Sequence, residues 1–285
     1  MQGWLIINSF MKSEKFINLY DMLSLAFKKH DVSLKIKTAS DISLEVNSVI
    51  KEKPDFAIFW DKDIYLAKRL ESQGIRLFNT AKAVELCDNK ILMYQELAKN
   101  NIVIPRTFIA PKTFEGLGYS KRDFIKEAIN EIGFPLMIKE AYGSFGEQVY
   151  LADDIDALNK IIDQIGYKDF LMQEFIKESK GKDIRINVVG NKAIASMLRE
   201  NKNDFRSNIS NGGTGSSFNP EQAYIDLALK AVKALGLDFA GVDVLFGKNG
   251  PIICEVNSNP QFASTLKATG INLADYIADY IINCL

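Results

Sequence analysis

Histidine is nearly missing from this chain. His30 is the only one among 285 residues, and it follows two lysines at the predicted end of a helix, where we expect a solvated capping residue. Neither a histidine base nor a histidine-ligated zinc ion is therefore expected. This argues against Ser-His hydrolases and against zinc enzymes of that kind, so other side chains must carry any chemistry.

Cysteine is also scarce, and neither sign of charge is in excess. Cys87, Cys254 and Cys284 are far apart and show neither zinc spacing nor a disulfide framework, so we expect buried thiols in a reducing cytoplasm. The net charge of −1 favours neither nucleic acid nor a membrane surface as a partner. The chain begins without a signal-peptide pattern and has no apolar run of about 20 residues, the length of a membrane span.

The composition is that of an ordinary globular protein, with 47% hydrophobic and 25% charged residues. Its length permits one large domain or two to three lobes. Strands alternating with helices predict a small parallel α/β unit over residues 1–85, and no G-x-G-x-x-G follows its first strand, so we do not expect a dinucleotide domain. Further along, the pattern predicts a helix over 87–100, a strand over 170–176 and a polar, glycine-rich loop over 204–219.

A hairpin near the end of the chain places three oxygen-bearing side chains on one face. Two apolar runs flank a turn at 247–251, which is typical of two paired strands. A hairpin centred near Asn249 sets Asp243 opposite Glu255, and the alternation of a strand points Asn257 the same way as Glu255. Carboxylate and amide oxygens suit Mg²⁺, so these three residues are candidate metal ligands. The alternative is that all three face solvent.

A lysine and a glycine-bearing loop form a candidate phosphate site in the middle of the chain. Lys139 ends an apolar strand, and Gly143, Ser144, Phe145 and Gly146 follow it closely. Backbone amides in such a loop can turn toward an anion, and the lysine supplies a cation. The alternative is a simple turn, since the sequence contains no G-x-x-x-x-G-K-[ST] pattern.

Three further segments carry candidate ligand contacts. One strand end has backbone groups that can read an adenine edge beside apolar side chains: Gln173, Glu174, Phe175 and Ile176. The next strand puts Asp183 and Arg185 on one face, although a solvated sheet face would show the same alternation. Arg206 and Asn208 enter a glycine-rich turn, which suits phosphate or acyl-phosphate oxygens but also fits a flexible loop.

Together these segments resemble the ATP-grasp superfamily and, within it, the RimK-like amino-acid ligases. The resemblance runs from about Asn79 to Ile281, and its motifs come in this order: Asn89-Lys90, GFPLMIKE, YGSFGEQV, QEFIKES, GKDIRINVVGNKAIASMLRE, DFRSNISNGG, AGVDVLF, ICEVN and KATGIN. Two positions depart from the common pattern. Gln148 stands where many relatives have a third glycine, and Ser258-Asn259-Pro260-Gln261 replaces the usual Ala-Ser-Pro-Gly.

The resemblance implies an ATP-grasp fold of α+β lobes with an N-terminal Rossmann-like preATP-grasp domain. The expected boundaries are 1–86 for the N-terminal α/β domain and 87–285 for the ATP-grasp domain. Within the latter, 104–175 would form the smaller, nucleotide-clamping lobe and 176–285 the C-terminal catalytic lobe.

The resemblance also implies roles for particular residues. Lys90 and Lys139 would hold ATP phosphates, and Arg206 and Lys139 would be catalytic. Mg²⁺ or Mn²⁺ would be held by Asp243, Glu255 and Asn257. The residues expected to bind ATP are Lys90, Lys139, Gly143, Ser144, Gly146, Gln173, Glu174, Phe175, Ile176, Asp183, Arg185, Arg206, Ser207 and Asn208.

The activity implied by the resemblance is ATP-dependent formation of an amide bond through an acyl phosphate. An amino acid such as glutamate would be joined to a peptide, a protein C-terminus or a small-molecule carboxylate. The alternatives are an amino-group-carrier or cofactor-tail ligase of the same fold, and a non-catalytic ATP-binding regulatory protein. A homo-oligomer is compatible with each of these functions.

Overall fold

The computed structural model of the protein describes residues 1–11, 13–42, 45–144 and 146–285. These residues form three β-sheets with helices packed against them. The combination confirms the α/β class expected from the sequence. Within the described ranges, no helix is long and apolar enough to cross a membrane.

The first sheet is parallel. Its strands are Gln2–Ile7 (β1), Ser33–Thr38 (β2), Phe56–Trp60 (β3) and Leu77–Phe78 (β4), and its helices are Glu14–Lys28 (α1) and Ile64–Ser72 (α2). The strand order is β2-β1-β3-β4. Helix α1 covers one face of β3 and α2 the other, which explains why β3 is apolar and buried at every position. The predicted parallel unit is therefore confirmed.

The single helix predicted over 87–100 is wrong. The chain instead forms two helices, Ala81–Asp88 (α3) and Lys90–Lys99 (α4), which meet at Asn89. Asn89 leaves helical geometry, and its side-chain oxygen accepts hydrogen bonds from the amides of Ile91 and Leu92. Asparagine is among the best N-terminal capping residues, so it starts a new helix here. The break places Lys90 at the first position of α4, where it is buried.

The second sheet is antiparallel. Its strands are Thr107–Ile109 (β5), Leu136–Glu140 (β6), Val149–Ala152 (β7) and Phe170–Glu174 (β8), in the order β5-β8-β6-β7, with helices Phe124–Ile132 (α5) and Ile155–Ile165 (α6). Strand β8 ends at Glu174, so the predicted continuation to Ile176 is wrong. Glu174 stands opposite Leu136, and the next pair would require Pro135, which has no amide hydrogen for the ladder.

The third sheet is antiparallel and five-stranded. Its strands are Lys182–Val189 (β9), Lys192–Glu200 (β10), Thr214–Ser217 (β11), Phe239–Gly247 (β12) and Gly250–Asn257 (β13), in the order β11-β10-β9-β12-β13. Helix Gln222–Leu235 (α7) packs on its apolar face. Strand β11 lies in the predicted loop 204–219, which is a further difference from the prediction. Its Thr-Gly-Ser-Ser sequence is exposed at the sheet edge and shows no apolar alternation that would predict a strand.

The last helix and the Asn79 side chain are among the contacts that join the first sheet to the third. The remaining helices are Ala263–Thr269 (α8) and Leu273–Cys284 (α9), with short 3-10 helices at Ala39–Asp41, Lys177–Ser179 and Ile209–Asn211. Helix α9 packs against α1 in one apolar cluster. The buried Asn79 side chain donates to the carbonyls of Phe239 and Ser258 at 2.9 Å and accepts from the amide of Asp238 at 2.6 Å. The domain boundaries stay predictions, and residue 86 falls inside α3.

Candidate functional site

Most of the candidate residues line one cavity between the second and third sheets. We call this the first cavity, and the predicted residues that line it are Lys90, Lys139, Gly143, Ser144, Gly146, Gln173, Glu174, Phe175, Ile176, Asp183, Arg206, Ser207, Asn208, Asp243 and Glu255. Arg185 and Asn257 instead line a neighbouring second cavity, which shares Gly143, Ser144, Arg199, Asn208 and Glu255 with the first. Phe145 lies outside the described residues.

Two buried lysines enter the first cavity from different elements. Lys90, at the start of α4, donates to the carbonyl of Gly143 at 2.9 Å and lies 3.4 Å from the Glu255 carboxylate. Lys139, on β6, donates to the Tyr94 hydroxyl at 3.0 Å. Burial opposes the charge of Lys139, but Cys254, Tyr94 and Glu255 outweigh it, so the pKa of Lys139 lies above its ordinary value. Both ammonium groups are thus available to an anion in the cavity.

The glycine loop is folded around a glutamine side chain. Gly143 has φ of 151°, and a Cβ atom there would come within 2.4 Å of Gln148 Oε1. The same oxygen accepts a hydrogen bond from the Ser144 amide at 3.2 Å. Gln148, which departs from the common family pattern, therefore fixes the loop while the two glycines keep its backbone open to a ligand.

The loop that carries Arg206 touches the glycine loop across the cavity. The Arg206 guanidinium donates to the Gly146 carbonyl at 2.7 Å and pairs with Asp204 at 2.7 Å. Hydrogen bonds from the side chain and the amide of Arg206, together with its positive charge, hold the pKa of the Asp204 carboxyl below its usual range, although burial opposes this shift. The two loops close the first cavity to about 100 Å³. Pockets for drug-sized ligands measure roughly 300–1,000 Å³, so such a ligand requires the loops to separate.

The chain segment that joins the second sheet to the third forms the inner wall. The Gln173 side chain is buried and bonded to Tyr94 and Thr107, so it supports the wall rather than facing a ligand. Among the described residues, no hydrogen bond engages the amides of Phe175 and Ile176. Free backbone groups beside apolar side chains are suited to the edge and face of a planar base.

A buried ion-pair network covers the polar face of the third sheet. Arg199 pairs with Asp183 at 2.7 Å and with Asp243 at 2.9 Å, and Arg185 also pairs with Asp243. Burial alone would raise the pKa of the Asp243 carboxyl, but the two arginines outweigh it and hold that pKa below its ordinary value. Arg199 was not among the residues predicted from the sequence. It pairs with Asp183 because of a bulge between Ala193 and Ala195 of β10, and no local motif singles it out.

The three candidate metal ligands lie close together on the third sheet. Asp243 stands directly opposite Glu255, as predicted, and Asn257 follows two positions later on the same strand face. The described residues contain no cluster of three or more His, Cys, Asp or Glu side chains of the kind that holds a metal ion. Two carboxylates and an amide oxygen nevertheless form a donor set that suits a hard divalent cation, with waters or phosphates completing the shell. The residues thus fit such an ion, and their assignment as its ligands stays a prediction.

A wider groove of about 830 Å³ opens on the other side of the 174–176 segment, against α7 and the turn of the β12–β13 hairpin. It contains neither Lys90 nor Lys139 and none of the candidate metal ligands. Its size alone therefore does not make it the reactive site, and the first cavity remains the candidate.

Comparison with known proteins identifies the family. Residues 87–281 match the model of the RimK-like ATP-grasp domain. The chain is 36% identical over 220 residues to a "Probable alpha-L-glutamate ligase" of Vibrio atlanticus (strain LGP32), covering 76% of this chain and 70% of that protein. It is 33% identical over 243 residues to "N-acetylaspartylglutamate synthase A" of Homo sapiens, covering 83% of this chain and 60% of that protein. The chain thus spans less than two thirds of the human relative.

The chain belongs to the RimK-like ATP-grasp family. The fold agrees with the crystal structure of a RimK domain ATP-grasp protein from Sphaerobacter thermophilus DSM 20745. Its TM-score is 0.76 at 21% identity, over 98% of this chain and 99% of that one. Together these findings confirm the family, the fold and the enzyme class that the sequence predicts, an ATP-dependent ligase using a divalent metal.

Proposed function

We propose that this protein joins a carboxylate to an amine at the expense of ATP. A substrate carboxylate oxygen bonds to the γ-phosphorus of ATP while the bond from that phosphorus to the bridging oxygen breaks, and ADP leaves. An amine then attacks the acyl phosphate and loses a proton, and phosphate departs as the amide forms. One observation carries the proposal: two buried lysines, a wall with free backbone amides and the carboxylate pair surround a single cavity.

Each part of the first cavity has a task in this reaction. Lys90 and Lys139 hold the triphosphate, because their ammonium groups are buried and already oriented by hydrogen bonds. The backbone of Phe175 and Ile176 receives the adenine edge. Phosphoryl transfer consists mainly of positioning and charge neutralisation, so it needs no protein nucleophile and no histidine.

Asp243, Glu255 and Asn257 would hold Mg²⁺ or Mn²⁺. Such an ion would supply positive charge that offsets the negative charge of the phosphates. Arg206 neutralises charge that develops on the acyl phosphate and on the tetrahedral oxyanion. Its contact with Gly146 closes the loops and excludes water that would hydrolyse the acyl phosphate.

We further propose that the amine substrate is an amino acid. Glutamate is the first candidate, because one named relative is a probable alpha-L-glutamate ligase and the other is an N-acetylaspartylglutamate synthase. The acceptor would be a peptide, a protein C-terminus or a small-molecule carboxylate. An amino-group-carrier or cofactor-tail ligase remains the alternative within the family. A homo-oligomer and a cytoplasmic location stay predictions from the sequence.

The experiment measures ADP formation with each standard amino acid, with and without a small-molecule extract, followed by mass spectrometry of the product. Lys139→Met should abolish product, whereas Lys126→Met, which removes a lysine exposed on α5, should not. A non-catalytic regulator would bind ATP and release no amino-acid-dependent ADP in any variant. That outcome would exclude the ligase activity.

A further inference from the structure

A buried tyrosine contacts three residues that line the first cavity, and it has no task in the reaction proposed above. Tyr94 lies on α4, one turn after Lys90, and is 2% exposed. Its hydroxyl meets Lys139 of β6 and Gln173 of β8, both in the second sheet, and Cys254 of β13 in the third. A side chain that contacts both sheets in this way can fix the position of one relative to the other.

The single hydrogen of the Tyr94 hydroxyl decides how the three contacts are arranged. The Cys254 carbonyl oxygen lies at 2.5 Å and Gln173 Oε1 at 3.3 Å, so the hydrogen is directed mainly to Cys254. The lone pairs of the hydroxyl then face Lys139, whose ammonium group donates to it at 3.0 Å. The same ammonium is 5.4 Å from the centre of the Tyr94 ring, so the oxygen rather than the ring holds the lysine.

Lys139 depends on this one hydroxyl. Within the described part of the chain, no carboxylate lies within ion-pair distance of its ammonium group, and its further contact is the Cys254 sulfur at 3.9 Å, a weak acceptor. An ammonium group has three N–H bonds, so Tyr94 fixes one direction and the others are left for an anion in the first cavity. Without the hydroxyl, a flexible four-carbon side chain would lose its one strong contact.

The carbonyl that receives the Tyr94 hydroxyl belongs to a bulge of β13. The register of β12 and β13 shifts by one residue next to Asp243, and Cys254 is the additional residue of this bulge. Bulges locally disrupt the hydrogen-bond ladder and often occur next to active sites. Because Cys254 directly precedes Glu255, the hydrogen bonds that run from Lys139 through Tyr94 end beside the pair of candidate metal-binding carboxylates.

We propose that Tyr94 is a positioning residue for ATP binding. Its hydroxyl holds the Lys139 ammonium group against the bulge of β13, so that this lysine of the second sheet keeps a fixed place relative to the candidate metal ligands of the third. The inference rests on the phosphate role proposed for Lys139. Phosphoryl transfer consists mainly of positioning, and an ammonium group that is already oriented loses less side-chain freedom when a phosphate binds.

The test measures binding of a non-hydrolysable ATP analogue with Mg²⁺ by calorimetry and compares Tyr94→Phe with Tyr119→Phe. Phenylalanine fills the space of the ring and removes only the hydroxyl. Tyr119 is the matched control, because it is also buried and its hydroxyl donates to the Lys168 carbonyl at 3.1 Å, outside the first cavity. Tyr94→Phe should weaken binding roughly 3- to 10-fold, the range for one net hydrogen bond, and Tyr119→Phe should bind like the wild type.

A double-mutant cycle separates positioning from a purely structural role of the hydroxyl. Lys139→Met removes the group that Tyr94 holds, so adding Tyr94→Phe to it should produce no further loss of affinity for the analogue. A structural role would instead produce the same loss in both backgrounds. Urea unfolding of every variant records the change in stability separately from the change in affinity.

A second measurement uses the wild-type side chains of both residues and does not depend on how Tyr94→Phe folds. In protein with isotope-labelled lysine and tyrosine, the NMR signal of the Lys139 ammonium group is assigned by its absence in Lys139→Met. This signal should show a nuclear Overhauser effect to the ring protons of a tyrosine, both without ligand and with the ATP analogue bound. The contact should persist on binding, because Tyr94 holds the lysine while the lysine holds the phosphate.

Three results would overturn the inference: Tyr94→Phe binds the analogue like the wild type, its effect is the same in the Lys139→Met background, or the nuclear Overhauser effect disappears on binding. If the phosphate role of Lys139 is wrong, Lys139→Met alone binds normally, and the inference is overturned with it. Weak binding by Lys139→Met with normal binding by Tyr94→Phe would overturn the inference alone. The expected binding pattern without ADP formation would leave the inference intact and remove the ligase activity.

Discussion

Asp243 and Glu255 are both candidate metal ligands, but the structure predicts that replacing Asp243 costs much more stability than replacing Glu255. Asp243 is buried between Arg185 and Arg199, whereas the Glu255 side chain is 30% exposed and has one lysine at 3.4 Å. We therefore compare Asp243→Asn with Glu255→Gln. Each change removes a negative charge and keeps the size of the side chain.

The expected losses of stability follow from burial. The side chains of Asp243 and Arg199 are 4% and 7% exposed, and breaking a buried ion pair by removing one partner costs about 3–5 kcal/mol. Arg199 keeps Asp183, which favours the lower end for Asp243→Asn. Glu255→Gln should cost about 1 kcal/mol or less, because partly exposed pairs contribute little. Lys90 also retains its bond to the Gly143 carbonyl.

Urea unfolding of the metal-free proteins measures these losses. The stabilisation by Asp243 should decrease as the pH falls, because the pKa of Asp243 is lower in the folded protein than in the unfolded chain. Its stabilisation is complete above the unfolded value of about 3.9 and is lost as pH falls through the folded pKa. The stability gap between the wild type and Asp243→Asn should therefore be constant near neutral pH and shrink in acid.

Ligand-induced stabilisation tests the predicted role of Glu255 in metal binding. Mg²⁺ with an ATP analogue at about 100 times its dissociation constant should stabilise the wild type by roughly 2.7 kcal/mol. Glu255→Gln should lose the part of this gain that depends on Mg²⁺, and its turnover, while its metal-free stability stays close to that of the wild type. Equal, small losses of stability in both variants would refute the buried-pair argument. Full turnover of Glu255→Gln at saturating Mg²⁺ would refute the metal assignment.

Three further predictions concern other residues of the site and the interface. Lys139→Met should weaken ATP binding by roughly 10- to 150-fold in calorimetry, with Lys126→Met unchanged, and wild-type affinity would contradict the phosphate role. Arg206→Ala should lower kcat more than ATP affinity and barely change the melting temperature, and Arg206→Lys should restore part of the rate because it keeps the charge without the planar fork. A variant that binds ATP poorly yet turns over normally when saturated would exclude a catalytic Arg206. Asn79→Ala should destabilise the fold by about 2–4 kcal/mol, because it leaves buried carbonyls and amides unpaired, and a loss below 1 kcal/mol in urea unfolding would contradict this.

The hairpin of β12 and β13 shows how far local pattern predicts the site. The turn is centred between Lys248 and Asn249, which by simple counting would set Asp243 opposite Cys254. A bulge next to Asp243 shifts the register by one residue and restores Glu255 as its partner. The predicted pairing of Asp243 with Glu255 is confirmed. A hairpin centred at Asn249, as assumed from the sequence, gives the same pairing as the observed turn together with the bulge.

The same effect explains why Arg199 was missed. The turn at Gly190 and Asn191 is evident in the sequence, and counting from it pairs Asp183 with Leu198. A bulge between Ala193 and Ala195 moves Arg199 into that place. A one-residue shift exchanges the two faces of a strand. A bulge that cannot be recognised in the sequence therefore determines which side chain reaches the site.

Contacts between distant segments could not be predicted from the local sequence pattern. Lys62, in the loop after β3, donates to Ser144 Oγ at 3.1 Å and pairs with Asp88 at 2.6 Å. Helix α9 closes over α1 from the other end of the chain. Periodicity identifies the apolar face of a helix, but the partner of that face depends on how complete elements pack. The second cavity is lined by residues from such distant segments.

The charges on the third sheet explain why metal and nucleotide should bind together. Asp183, Arg199, Asp243 and Arg185 alternate in sign and balance one another, and Glu255, opposite Asp243, pairs with Lys90. A divalent cation bound at Asp243 would be repelled by the two guanidinium groups that pair with this carboxylate, and it would gain only one further carboxylate, from Glu255. Phosphate oxygens would add the negative charge that offsets this repulsion. The network keeps the Asp243 carboxylate ionised and oriented, and we therefore expect binding of a cation here to depend on the triphosphate.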